Sequence, residues 1–256
     1  MAGESRKWLL RKPSSDAPAR LFCFPYSGVG ASMYNRWPSR TGSVEICSVQ
    51  LPGRENRIRE PHYGTYDVLA EQAAEALEPY LDRPFGFFGH CGGALAAFAT
   101  ALRLQRLGGH LPACLFVSSQ VAPHQPPYGR FLTMTGDELR EELALLTIAM
   151  GGRPHPDALD FGLDILRADI SANQKYQLAA PVMISTDLHA IGWSGDVEIR
   201  PDQMGGWQEY AAEDRLFRTV LAGEHHTFLS APESLLDVFD RGLTRAAVTS
   251  GQAVSD

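Results

Sequence analysis

The sequence predicts an α/β fold in which a mostly parallel β-sheet is covered by helices on both faces. Short apolar runs, typical of buried strands, alternate with longer segments whose apolar residues recur at helical spacing. Near the middle, a strand-like run passes through a glycine-rich turn at residues 89–93 directly into a helix. Strands and helices that alternate at this spacing indicate βαβ units, and therefore a parallel sheet.

The first half of the chain carries four strand signals and two helical ones. Two glycines, Gly108 and Gly109, follow the second helical segment, where glycine commonly ends a helix. A loop between the second strand and the first helix holds Arg54 and Arg57, which we expect to be solvated. The predicted strands are residues 21–24, 44–49, 85–88 and 113–117, and the predicted helices are residues 66–81 and 94–104.

Strand signals disappear between about residues 119 and 181, where helical spacing covers residues 137–150 and 157–176. We therefore predict one domain over residues 1–256, with a helical insertion at about 120–180. Insertions of this kind often form a lid over the site, although a purely structural helical cap would show the same pattern.

The last third of the chain returns to the alternation of strand and helix. Residues 1–19 and the polar tail after Thr244 should be loosely held. The remaining predicted elements are strands at 188–193 and 215–221 and helical segments at 201–210 and 232–243.

Composition argues against several classes of protein. The chain has 256 residues, a net charge of -7 and no basic block, which disfavours a nucleic-acid partner. No apolar run approaches the roughly 18 residues needed to cross a bilayer, and no apolar stretch of a secretory signal follows the first charges. The histidines have no metal-like spacing, so no metal is predicted. The cysteines form no Cys-x-x-Cys pair, so we expect a cytoplasmic protein with reduced core thiols at Cys23, Cys47 and Cys114.

The turn at residues 89–93, Gly-His-Cys-Gly-Gly, has the form of the Gly-x-Ser-x-Gly nucleophile elbow of α/β-hydrolases, with Cys91 at its apex. Glycine is needed at 89 and 93 because the sharp turn leaves no room there for side chains. A thiol in this position lies at a helix N-terminus, where the backbone dipole favours the thiolate. The sequence therefore predicts an α/β-hydrolase fold with a cysteine nucleophile.

Two further strand ends carry groups that complete this chemistry. Parallel sheets place their sites at the carboxyl ends of the strands, and Asp196 and His225 follow the last two predicted strands. His225 would take the thiol proton, or pair with the thiolate as imidazolium, while Asp196 would fix the imidazole tautomer. The oxyanion needs two N–H donors, which we expect from the backbone of Gly92 and of Ser27, with the neighbouring Tyr26 as the alternative to Ser27.

Several separated motifs, in order along the chain, resemble those of type II thioesterases, the free-standing editing enzymes of polyketide and nonribosomal peptide assembly lines. Each motif is weak alone, and together they cover the chain from about residue 21 to 243. They are Leu-Phe-Cys-Phe-Pro-Tyr-Ser-Gly at 21–28, Val-Gln-Leu-Pro-Gly-Arg-Glu at 49–55, the elbow region at 83–94, Leu-Phe-Val-Ser at 115–118 and Leu-Arg-Ala-Asp at 166–169.

The resemblance implies hydrolysis of acyl groups from the phosphopantetheine arm of acyl or peptidyl carrier proteins, by a monomer without metal or bound cofactor. The family's acid precedes a tryptophan by about eleven residues, which selects Asp196 before Trp207 and leaves Asp187, at the start of its strand, a weaker rival. The family's Gly-x-His motif is usually followed by aromatic residues. His225 fits it, but the residues after it do not, so His226 remains a rival.

Two residues depart from the family: Cys91 replaces its serine, and Gly92 replaces its usual methionine or leucine. An acyl group on a thiol remains activated, so it is open to acceptors other than water. We therefore predict a thioesterase that releases or edits acyl groups, with an acyltransferase or cyclase as the alternative. A serine deliberately replaced by cysteine would give the same elbow, but would not require Gly92. A catalytically silent carrier-binding protein is a further alternative, which the retained Asp196 and His225 disfavour.

Overall fold

The computed structural model describes residues 6–252 of the chain, with side chains described for residues 7–246. The predicted fold is confirmed: a seven-stranded, mostly parallel sheet lies between helices. The sheet order is β2-β3-β1-β4-β5-β6-β7, and only β2 pairs antiparallel. The strands are β1 Ala19–Phe24, β2 Arg40–Thr41, β3 Val44–Ser48, β4 Phe85–His90, β5 Cys114–Ser118, β6 Asp187–Trp193 and β7 Leu216–Leu221.

Five α-helices accompany the sheet within the described residues. They are α1 Tyr66–Leu77, α2 Gly92–Leu107, α3 Gly136–Ala149, α4 Pro156–Lys175 and α5 Glu233–Gln252. The side chain of Thr65 caps the start of α1 by accepting from the Val68 N–H, and α2 ends at Gly108 in the left-handed conformation, with φ 66°. The apolar side chains of β1, β4 and β5 are buried on both faces, as expected for central parallel strands.

Four local features differ from what the sequence predicts. Strand β2 was not predicted, because two residues give no periodicity. Residues 201–210 form a 3₁₀-helix, Pro201–Glu209, rather than an α-helix. The expectation of a loose N-terminus is wrong for its described part, since Trp8 is buried and Leu9 pairs with Val49. The tail expected to be loose after Thr244 is helical as far as Gln252, while residues 1–5 and 253–256 lie outside the described residues.

The helical insertion lies between β5 and β6 and packs onto the sheet edge that carries the elbow. It contains a short 3₁₀-helix, Arg130–Leu132, followed by α3 and α4. Helix α3 begins with a capping box between Thr135 and Glu138. Leu143 of α3 and Leu166 of α4 pack directly over Gly28, where an added Cβ would approach them to between 3.1 and 3.2 Å. The insertion therefore covers the turn after β1.

No helix within residues 6–252 combines the length and the apolar character that a membrane crossing requires.

Candidate active site

Cys91 sits at the apex of a strained turn between β4 and α2. Its backbone adopts φ 51° and ψ −123°, which is rare for a residue with a side chain and typical of functional turns. A Cβ at position 89 would lie 2.0 Å from the Gly93 carbonyl oxygen, and one at position 93 would lie 2.7 Å from that of Pro25. Only glycine fits at either position, so the turn holds the half-buried thiol at the start of α2.

The thiol lies beside a histidine that is paired with a buried carboxylate. The Cys91 side chain interacts electrostatically with His225, whose Nδ1 lies 2.9 Å from Asp196 Oδ2. Asp196 also accepts a hydrogen bond of 2.7 Å from the Ser119 hydroxyl, and two from the backbone N–H groups of residues 198 and 199. The structure thus brings together the cysteine, histidine and aspartate that the sequence selects.

The electrostatics of this chain favour a protonated imidazole. Burial alone would lower the pKa of His225, but the hydrogen bond to Asp196 and the interaction with Cys91 outweigh it and raise that pKa to about 10. Burial likewise acts to raise the pKa of Asp196, but the hydrogen bonds from His225 and Ser119 hold it below its usual value. An imidazolium held between a carboxylate and a thiol can stabilise a thiolate and return a proton to a leaving group.

We expect His225 to remain protonated through neutral pH and to titrate near pH 10. Its raised pKa stabilises the fold fully below about pH 6.5, the ordinary histidine value, and this contribution is lost as the pH rises through 10. Asp196→Asn should lower the pKa of His225, because a neutral amide stabilises the imidazolium less. Nitrogen NMR of ¹⁵N-labelled histidine side chains measures both values.

His189 is the internal control for this titration. It is buried on β6, where burial lowers its pKa to about 4, and Asp196→Asn should leave that value unchanged. A His225 ring that is neutral at pH 7 in the unmodified protein would contradict the expected ion pair.

The turn after β1 lies beside the first residue of α2, where the oxyanion donors are predicted. The Tyr26 N–H donates to Met33 Sδ over 3.2 Å, whereas the Ser27 N–H has no partner within residues 6–252. The N–H of Gly92 lies in the first turn of α2, where backbone N–H groups have no acceptor within the helix. The geometry therefore favours Ser27 over Tyr26, whose hydroxyl instead lies 3.3 Å from His225 Nε2.

The two rival residues occupy different positions. His226 neighbours His225, with ring centroids 5.2 Å apart, and burial lowers its pKa to about 4, so it stays neutral. Asp187 lies at the amino end of β6, where it pairs with Arg215 and Arg245 at 2.9 and 2.6 Å. Asp187 is thus at the opposite sheet edge from Cys91.

Two charged residues not selected from the sequence border the site. Glu198 Oε2 lies 3.6 Å from His225 Nε2, and its Oε1 forms an ion pair with Arg130 Nε at 2.8 Å. Arg130 also pairs with Glu142 of α3. These residues are far apart in sequence and meet only through the folded insertion, so no sequence pattern indicates the cluster.

His90 packs beneath the site rather than within it. Its ring stacks on Phe228 with centroids 3.9 Å apart, and Nδ1 lies 2.9 Å from the Ser118 hydroxyl. Burial keeps the pKa of His90 well below its ordinary value, so the ring is neutral and supports the neighbouring His225 by packing.

One group among the described residues has ligand atoms close enough to hold a metal: Glu198, His225 and His226, whose atoms lie within 4.8 Å of one another. His225 is already bound to Asp196, and Glu198 is bound to Arg130. These partners account for two members of the group without a metal, and we assign it none.

A buried cluster connects the insertion to the site. Asp169 of α4 accepts hydrogen bonds from the Gly28 N–H at 2.7 Å, from Arg54 at 2.8 and 2.9 Å, and from Tyr63 at 2.7 Å, and it also lies 2.7 Å from His62 Nε2. The prediction that Arg54 and Arg57 are solvated is wrong, because these residues are only 1% and 5% exposed. The insertion is held to the turn after β1 by a charged, fully hydrogen-bonded core.

The cavity at Cys91 is small. Its volume is about 20 Å³, which is room for one or two water molecules. A second groove, of about 1050 Å³, lies between the N-terminal segment, α1 and the end of α2, and does not include Cys91. The cavity is lined by Ser27, Cys91, Ile170, Asn173, Glu198, Ile199 and the segment 128–132.

The chain delivers cysteine, aspartate and histidine in the order that α/β-hydrolases use for nucleophile, acid and base, and its thiol occupies their strained elbow. The fold and site thus define the class as the α/β-hydrolases. Within that class, the chain belongs to the thioesterase family, because residues 19–243 match the model of the thioesterase domain.

Individual relatives span almost the whole chain. The linear gramicidin dehydrogenase LgrE of Brevibacillus parabrevis is 34% identical over 93% of this chain and 92% of its own. The gramicidin S biosynthesis protein GrsT of Aneurinibacillus migulanus is 31% identical over 87% of this chain and 88% of its own. Among solved structures, the RedJ thioesterase from the prodiginine biosynthetic pathway of Streptomyces coelicolor is 33% identical over 91% of both chains, with a TM-score of 0.74.

Proposed function

We propose that this protein removes acyl groups from the phosphopantetheine thioesters of carrier proteins in polyketide or nonribosomal peptide assembly lines. Cys91 is the nucleophile, His225 the acid and base, and Asp196 the group that orients and charges His225. The observation that carries the proposal is the grouping of Cys91, His225 and Asp196 at the elbow of a thioesterase-family protein, with His225 hydrogen-bonded to Asp196.

The relatives support the setting of this reaction. GrsT and RedJ are described as members of the gramicidin S and prodiginine biosynthetic pathways, and RedJ as a thioesterase. The name of LgrE refers to a dehydrogenase, but the thioesterase family match of this chain favours acyl chemistry. No dinucleotide cofactor enters the proposal.

The insertion acts as a lid in this proposal. A cavity of about 20 Å³ cannot hold an acyl chain, so α3 and α4 must move before a substrate reaches Cys91. The carrier protein presents its arm at the opened edge, and reclosure excludes bulk water from the acyl-enzyme. The proposal thus assigns the insertion a gating role rather than only a structural one.

The second candidate is acyl transfer to an acceptor other than water, and Cys91 itself favours it. A thioester on Cys91 is nearly equal in free energy to the carrier's thioester, so loading is reversible and the acyl group stays reactive toward amines, thiols or carbon nucleophiles. A silent carrier-binding role is disfavoured, because such a role has no need for the buried Asp196 or the charged His225.

Intact mass spectrometry of the protein mixed with an acyl-loaded carrier protein tests the proposal. Hydrolysis predicts release of free acid, with an acyl adduct on Cys91 that water discharges. Acyl transfer predicts an adduct that persists in water and is discharged faster by an added amine or thiol. Neither adduct nor turnover across acetyl, aminoacyl and longer acyl groups would contradict both enzymatic functions.

A further inference from the structure

We propose that the Ser27 hydroxyl is a third hydrogen-bond donor to the oxyanion at Cys91, and that Gly92 provides the space for it. The inference rests on the proposed function, because an oxyanion forms only if Cys91 attacks an acyl carbonyl. It adds a side-chain donor to the two backbone N–H groups expected from Ser27 and Gly92.

The Ser27 side chain occupies the volume that a side chain at position 92 would fill. A Cβ built on Gly92 would lie 2.2 Å from Ser27 Oγ, far inside any tolerated contact, and 3.2 Å from the Tyr66 hydroxyl. The same Tyr66 hydroxyl donates to the Gly92 carbonyl at 3.1 Å, so the backbone at position 92 is fixed. Ser27 Oγ and a side chain at 92 are therefore mutually exclusive.

The Ser27 hydroxyl lines the cavity at Cys91 but has no hydrogen-bond partner among the described residues. Within residues 6–252, Ser27 Oγ makes no hydrogen bond, while the nearby hydroxyls of Tyr34 and Tyr66 each donate to a backbone carbonyl. Ser27 is only 9% exposed and lines the small cavity together with Cys91. A group that finds its partner only in the transition state contributes selectively to catalysis.

The donor acts in both halves of the reaction. The Cys91 thiolate forms a bond to the acyl carbon, the carbonyl π-electrons move to oxygen, and the Ser27 hydroxyl donates to that oxyanion while keeping its proton. Collapse of the intermediate breaks the bond to the phosphopantetheine sulfur, which leaves with the proton of His225 Nε2. In deacylation, water gives a proton to His225 Nε2 and attacks the same carbon, and the oxyanion returns to the same donors. Collapse of this second intermediate breaks the bond between Cys91 Sγ and the acyl carbon, which releases the acid and restores the thiolate beside the imidazolium.

Ser27→Ala tests the donor with a small acyl thioester as substrate. Losing one oxyanion donor reduces kcat by about 10²–10³-fold in other enzymes, and we expect about 30-fold here because two backbone donors remain. KM should change less than about twofold, since the donor acts on the transition state. An aldehyde that adds to Cys91 places its oxyanion or hydroxyl at the same site, so its dissociation constant should rise by a similar factor.

Gly92→Ala keeps the hydroxyl but displaces it, and it provides the matched test. This variant should lose kcat to a similar extent, and the double variant Ser27→Ala/Gly92→Ala should be no slower than Gly92→Ala, because both changes remove one interaction. Thermal unfolding of each variant identifies one that fails to fold. The dissociation constant of the aldehyde, measured on the variant that does fold, then tests whether the Ser27 hydroxyl donates to the oxyanion.

A wild-type kcat in folded Ser27→Ala, or in folded Gly92→Ala, would overturn the inference while leaving the proposed function intact. Fully additive losses in the double variant would also overturn it. If the unmodified protein neither turns over acyl thioesters nor forms the aldehyde adduct, the proposed function fails and the inference fails with it.

Discussion

Cys91→Ala should reduce kcat/KM for an acyl thioester by about 10⁴-fold or more, because removal of a nucleophile leaves only binding and oxyanion stabilisation. The other thiols cannot replace it. Burial raises the pKa of Cys23 and of Cys47 well above the ordinary value and that of Cys114 to about 12, so all three remain protonated. Steady-state kinetics with the purified variant measures the loss.

Cys47→Ala is the matched control for this loss. It also removes one thiol, but from β3, outside the cavity that Cys91 lines, and should retain kcat/KM within about twofold. Alkylation should distinguish Cys91 from the buried thiols in the same way. One equivalent of iodoacetamide should react at Cys91 and inactivate the protein. Turnover retained by Cys91→Ala would show that the nucleophile lies elsewhere.

Cys91→Ser separates the two candidate reactions. An oxygen ester lies below the incoming thioester in free energy, so loading becomes irreversible and the acyl group loses reactivity toward amines and thiols. If the unmodified protein transfers acyl groups, the serine variant should release mainly free acid even when an amine acceptor is present. An unchanged ratio of transfer to hydrolysis would mean that the sulfur does not determine the acceptor.

Local sequence pattern predicted the elbow and the order of the site residues well, and the reason is geometric. Glycines at 89 and 93 are required by contacts of 2.0 and 2.7 Å within the turn itself, so the motif contains its own structural cause. Asp196 and His225 follow strands β6 and β7, and parallel pairing brings both strand ends to the edge that carries Cys91. The prediction of these site positions therefore depended on few long-range contacts.

The charged groups between the insertion and the sheet edge could not be predicted in the same way. Arg54 is in a polar loop and Asp169 in the middle of a helix, and the family motifs that contain them do not indicate that the two residues pair. Arg130 and Glu198 meet only because the segment before α3 folds over the site. Such pairs depend on how the insertion packs against the sheet. Helical periodicity predicts which face of a helix is buried, but not which residues that face contacts.

Asp169→Ala should destabilise the protein by about 3–5 kcal/mol, the usual cost of removing one partner from a buried ion pair. The Arg54 guanidinium would remain 1% exposed with its charge unmatched, and the Gly28 N–H and Tyr63 hydroxyl would lose their acceptor. For a chain of this length, the loss corresponds to a decrease in Tm of roughly 10 °C. Calorimetry or thermal circular dichroism measures it.

Asp164→Ala is the control on the same helix. Asp164 is exposed, and among the side chains of residues 7–246 it pairs only with Arg167, at 3.7 Å, so its loss should change the free energy of unfolding by less than about 0.5 kcal/mol. Equal decreases in the free energy of unfolding would contradict the importance of the buried Asp169 ion pair. The pH dependence of that free energy provides a second check on the same carboxylate.

Burial acts to raise the pKa of Asp169, but the Arg54 charge and the His62 hydrogen bond hold it well below its usual range. Its contribution to stability is therefore complete above about pH 4, the ordinary aspartate value, and is lost progressively at lower pH. Asp169→Ala should remove this part of the acid sensitivity.

Because the same carboxylate accepts from Gly28, beside Ser27, folded Asp169→Ala should also lose kcat more than Asp164→Ala does. A variant with lower Tm but unchanged kcat would show that the cluster stabilises the insertion without positioning the oxyanion donors.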